Sequence, residues 1–136
     1  MTQRKGMDQV SDDELKKVIA DFLEMGHVDN IVAMFRRNPG CYAWTGEILD
    51  DERFSVRLGV SVLFEELKAL QPELLDLAVP SLARLLDNPS ALLRGEAIGV
   101  LGIIGGDEST GLVRGMLDDP SPQVREMAEL VLADGP

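Results

Sequence analysis

Apolar residues recur along the chain at intervals of three and four. The first such series is Leu15, Val18, Ile19, Phe22 and Leu23, the spacing of one helix face. In front of it, Ser11-Asp12-Asp13-Glu14 reads as a capping box: the serine accepts from a first-turn amide and Glu14 reaches back to the cap. Gly26 is the expected stop. Asp29 or Asn30 then starts a second helix through Ile31, Val32, Met34 and Phe35, which ends at Arg36-Arg37 before the turn Asn38-Pro39-Gly40. The pattern as a whole predicts helices over 12–25, 29–37, 41–49, 53–70, 73–87, 91–104, 108–117 and 121–133. Pro72 suits the start of the fifth span, and Pro80 inside it should break or kink the helix.

From residue 41 onward the pattern repeats. Leu49, Leu86 and Leu117 are each followed by an aspartate (Asp50, Asp87 and Asp118), a turn, and an arginine (Arg57, Arg94 and Arg125). The arginines lie 37 and 31 residues apart, periods that indicate stacked helix pairs. Each unit reads as an outer helix ending in Leu-Asp, a tight turn, and an inner helix that begins one turn before the arginine. Pro89, Pro120 and Pro122 fit turns and first helical turns, where the missing N–H costs nothing.

The run Leu93-Arg94-Gly95-Glu96-Ala97-Ile98-Gly99-Val100-Leu101-Gly102-Ile103-Ile104-Gly105 resembles the HEAT-like repeats grouped with phycobilin lyases. Asp119-Pro120-Ser121-Pro122-Gln123-Val124-Arg125 looks like the same family. The resemblance covers residues 41–135 and is closest in the last two units. It implies an all-α fold, a short right-handed α-solenoid of HEAT-like helix pairs. Residues 41–70, 72–105 and 107–135 are the repeat units, 11–40 an N-terminal helical cap, and 1–10 a flexible terminus. Function varies widely on such folds.

The turn residues Asp51, Asn88 and Asp119 each precede their arginine by six positions, so a turn acid can accept from the guanidinium of the following helix. Arg57, Arg94 and Arg125 are therefore expected to form a structural ladder. Asn88 makes the middle rung neutral and should leave Arg94 the least neutralised. Gly95, Gly99 and Gly102 share one face of their helix, an arrangement that allows close approach of a neighbouring helix or a ligand, with helix packing the favoured reading.

Composition narrows the function. Hydrophobic residues make up 45% of the 136, enough for a core, but aromatics only 4%, so that core is aliphatic. The net charge of −11 disfavours nucleic acid and anionic membrane surfaces. No apolar run reaches a membrane span, no signal peptide is visible at the N-terminus, and the single cysteine suits a reducing compartment; the expected location is cytoplasmic. His27 is the only histidine, so no histidine-rich metal site can form within one chain. The repeated His-Glu pairs of iron-binding HEAT-like proteins are missing, as are the basic inner face of HEAT-like repair enzymes and a P-loop. No cofactor and no catalytic constellation are expected.

What remains is an interaction protein. Tyr42 and Trp44, the only Tyr and Trp, sit near Glu47 and Arg53, and Trp, Tyr and Arg most often anchor interfaces. The favoured reading of the same aromatics is that they close the core between cap and first unit, since large aromatics in small domains are mostly buried. A second candidate surface is the concave side of the inner helices, with Ser61, Glu65, Lys68, Glu96 and Glu129 outward. The first reading is a non-enzymatic adaptor or scaffold that binds another protein, with homodimerisation open because short solenoids expose unfinished ends. The rival is an accessory enzyme or small-ligand carrier with a pocket near His27, Cys41, Tyr42 and Trp44.

Overall fold

The computed structural model describes residues 11–134, and the flexible terminus expected over 1–10 lies outside them. The described residues form eight α-helices and two 3-10 segments, with no strand. In order they are α1 (Asp12–Glu24), α2 (Val28–Arg37), a first 3-10 segment (Pro39–Trp44), α3 (Thr45–Leu49), α4 (Phe54–Leu70), a second 3-10 segment (Pro72–Ala78), α5 (Val79–Leu85), α6 (Ala91–Ile104), α7 (Gly106–Arg114) and α8 (Pro122–Asp134).

Two rows result. Helices α1, α4, α6 and α8 pack side by side in that order as an inner row. The outer row is α2, then the first 3-10 segment with α3, the second with α5, and α7. The cap helices thus continue the two rows, α1 beside α4 and α2 beside the first 3-10 segment. Leu23, Ile31, Leu49, Val60, Leu67, Leu82, Ala97, Leu101 and Val113 fill the space between the rows. Phe35, Tyr42 and Phe64 meet there edge to face, with ring centroids 5.1 to 6.4 Å apart.

The local signals act as chemistry requires. The Ser11 hydroxyl accepts from the Glu14 amide at 3.1 Å, and Glu14 accepts from the Ser11 amide at 3.1 Å. Gly26, at φ 85°, turns the chain between α1 and α2 in a conformation that a side chain would strain. Helix α2 starts at Val28 rather than Asp29, with His27 at its cap position making no side-chain cap bond.

Three expectations are corrected. The single helices expected over 41–49 and 73–87 are each a 3-10 segment running into a short α-helix. Pro39 and Pro72 open the 3-10 segments and Pro80 lies in the first turn of α5, so the break expected at Pro80 falls one residue before it. The third correction concerns the glycine face of α6. Only Gly102 is packed: a Cβ there would sit 2.9 Å from a Val131 methyl, whereas Gly95 and Gly99 have nothing within 4 Å of that position. The tight approaches elsewhere use glycines outside that run. Gly59 lets α4 approach Leu23 of α1, and Gly46 brings α3 onto the Ser81 backbone of α5. At that second contact the Gly46 amide donates to the Ser81 hydroxyl at 2.9 Å.

Candidate functional site

The arginines form a ladder, though its rungs differ from those the turn residues suggest. Each Nη1 donates to the main-chain carbonyl six residues back: Arg57 to Asp51 at 2.8 Å, Arg94 to Asn88 at 2.8 Å, and Arg125 to Asp119 at 2.7 Å. The turn acid therefore does not serve its own arginine; the carbonyl does, and the carboxylate comes from the next unit. Arg94 Nε and Nη2 donate to both oxygens of Asp119, at 2.8 and 2.9 Å. Arg94 is thus fully neutralised, contrary to the expectation drawn from Asn88. The consequence of Asn88 falls one unit earlier. Arg57 meets Asn88 at the position where Arg94 meets Asp119, and its Nε donates instead to Glu96 of α6 at 2.8 Å. Glu96, a candidate for partner binding by sequence, is only 25% exposed and engaged in this rung. The hydrogen bond from Arg94 holds the Asp119 carboxyl below the usual carboxylate range and raises the arginine in turn.

The segment Cys41 to Phe54 binds the cap. Tyr42 is fully buried, and its hydroxyl accepts from Gln71 Nε2 at 2.8 Å. It is a core residue, and contrary to the expectation from sequence it has no surface to offer a partner. Burial pushes both the Tyr42 phenol and the Cys41 thiol upward. Trp44 packs partly buried on the core with Lys16 Nζ 5.5 Å from its ring centre, and Lys16 also pairs with Glu47 at 3.0 Å. Arg53 grips Asp51 with Nε and Nη2 at 3.0 and 2.9 Å. Its Nη1 donates to Asp21 and Glu24 of α1 at 2.9 and 2.8 Å. Asp51 is pulled down by this arginine, which is raised. Trp44, Glu47 and Arg53 accordingly staple the cap to the first repeat; the sequence carried the residues but not Lys16, Asp21 and Glu24 as their partners.

The inner row presents a different surface. Along α4, Phe54, Leu58, Val62 and Leu70 are exposed, Phe54 by 64% and Leu58 by 51%. Val62, Glu65, Glu66, Ala69 and Leu70 together line a shallow depression. Val62 stands five residues past its ladder arginine; the equivalents on α6 and α8 are Gly99 and the exposed Leu130. Leu58 corresponds in the same way to the bare Gly95. Of the remaining sequence candidates, Glu65 and Glu129 are exposed, and Lys68 reaches across to donate to the Ile103 carbonyl at 2.7 Å.

Elsewhere the surface offers a cleft of about 630 Å³ at the ends of α6 and α8, with Lys68, Asp107, Arg114 and Asp134 of mixed sign on its walls. Among the described residues, no group of three or more His, Cys, Asp or Glu is placed to hold a metal ion. No described helix is long and apolar enough to cross a membrane.

Residues 42–133 match the family model for HEAT repeats. The chain belongs to the HEAT repeat family. The match begins where the arginine-bearing units begin, and it is to HEAT repeats at large, so the phycobilin-lyase type is not part of it. No curated protein and no solved structure matches the chain. HEAT repeats commonly mediate contacts between proteins and are generally non-catalytic.

Proposed function

We propose that this HEAT-repeat chain is a non-enzymatic adaptor or scaffold that holds another protein against its inner row. The observation that carries the reading is the exposed apolar line Phe54, Leu58 and Val62, spaced four residues apart on α4. That helix lies between α1 and α6, so the line runs down the middle of the row rather than at its edge. Contiguous exposed apolar surface on a small protein marks an interaction site. The polar residues that looked equally available by sequence, Arg53, Glu47 and Glu96, are occupied within the chain. The rival, a ligand pocket near Cys41 and Tyr42, would need two side chains that are 1% and 0% exposed to be uncovered. The lone buried thiol of Cys41 fits work in the reducing cytoplasm.

The test is site-specific photo-crosslinking in the source cell, with the photoreactive residue placed at Val62 or, on the outer row, at Arg84. A defined protein adduct from Val62 and none from Arg84 is expected. Adducts from Arg84 alone, or from neither position, would overturn the reading.

A further inference from the structure

We infer that the partner offers this face an amphipathic helix whose apolar stripe is flanked by Lys or Arg, lying along α4 and over α6. The inference rests on the proposed interaction role and specifies the chemistry of what is bound.

Shape comes first. On α4, Leu58 and Val62 stand out from the row, and on α8 Leu130 does the same at the position equivalent to Val62. Between them α6 carries glycine at both equivalent positions, Gly95 and Gly99, and a Cβ at either would meet nothing. Packing within the chain therefore places no demand on these glycines, in contrast to Gly102 beside Val131. The surface of α6 is thereby left low between the exposed side chains of its two neighbours, apolar at Leu58, Val62 and Leu130 and acidic at Glu126. A helix docked in a groove inserts side chains spaced three and four residues apart. Leu92, 56% exposed in the first turn of α6, extends the apolar lining at one end.

Charge then selects among occupants. Glu65 and Glu66 border the depression on α4, and Glu126 and Glu129 flank Leu130 on α8. All four are exposed, and among the described residues none is ion-paired with a lysine or arginine. A second copy docked face to face would set these glutamates against their own kind, in a chain of net charge −11. A nucleic-acid backbone would be repelled in the same way. A helix with basic flanks meets both requirements, its stripe on Leu58, Val62 and Leu130 and its cations on the glutamates.

The probe is an 18-residue Leu/Lys amphipathic helical peptide, with a Leu/Glu peptide of the same stripe as its counterpart. Both are titrated against the full chain by fluorescence anisotropy in 150 mM salt. The Leu/Lys peptide is expected to bind about tenfold or more tightly than Leu/Glu, with binding weakened at least about fivefold by Gly99→Leu and by Leu58→Ser/Val62→Ser. Leu77→Ser, at an exposed leucine of the outer row, should change nothing. Gly99→Leu improves helix propensity, so an unchanged or higher melting temperature separates a filled surface from a damaged fold. Failure of the Leu/Lys peptide to bind, equal binding of both peptides, or binding insensitive to Gly99→Leu overturns the inference. If the Val62 crosslink still yields a partner in that case, the interaction role stands and only the partner's chemistry is wrong.

Discussion

The guanidinium of Arg94 holds both carboxylate oxygens of Asp119, at 2.8 and 2.9 Å, joining α6 to the turn before α8. A third donor of the same arginine secures its own turn. A planar fork is suited to such a double task in a way an ammonium is not. Arg94→Ala should therefore lower the melting temperature clearly more than Arg125→Ala, whose side chain bonds only a carbonyl of its own turn among the described residues. Arg94→Lys should recover little. Thermal unfolding followed by circular dichroism ranks the three variants, and equal losses would contradict the ladder as drawn.

The same pair makes stability depend on acid. Asp119 is held below its ordinary range by Arg94, and Asp51 by Arg53. Free aspartate titrates near about 3.9, so the stabilisation is complete well above that pH and is lost as pH falls through the lower folded values. Asp119→Asn should be less stable at pH 7, with the gap to the parent chain closing as pH falls below about 4. Denaturant midpoints measured from pH 7 to pH 3 would show the curves converging; parallel curves would remove Asp119 from the account.

Packed and open glycines should respond with opposite sign. Gly46→Ala forces a methyl onto the Ser81 backbone, whose carbonyl carbon would lie 2.8 Å away, and should destabilise by about 1–3 kcal/mol. Gly95→Ala and Gly99→Ala meet open space in a helix interior and should stabilise by about 0.5–1 kcal/mol each. Urea titration of the three variants decides the matter, and a loss at Gly99 would mean that this face of α6 is packed from within.

Cys41 is 1% exposed and its thiol is raised by burial. At pH 8 its reaction with an aromatic disulfide reagent should be slow in the native chain and should accelerate with denaturant in step with unfolding. Rapid native labelling would reopen the case for a pocket beside Tyr42.

The repeat plan was legible in the sequence because its signals are local: an Asp-rich turn, an inner helix starting after it, and an arginine at a fixed offset. The rungs were not, because a guanidinium that reaches its own turn carbonyl has further donors to spend across a unit boundary. Which acid it meets there, Asp119 or Glu96, depends on packing between helices. The glycine run on α6 misled for a similar reason. Spacing puts Gly95, Gly99 and Gly102 on one face, but only the position of α8 decides which of them a neighbour fills. Tyr42 and Trp44 were visible as the unusual residues, and the favoured reading that they close the core against the cap fits their place in the fold. The exposed line on α4 was hidden in plain view, since a helix rich in Leu and Val reads as core on every side until its neighbours are known.

The most direct test of the interaction role uses the protein captured at Val62, purified, and titrated by calorimetry with the parent chain and with Leu58→Ser/Val62→Ser. The account predicts affinity reduced about tenfold or more at an unchanged melting temperature. Unchanged affinity would contradict it.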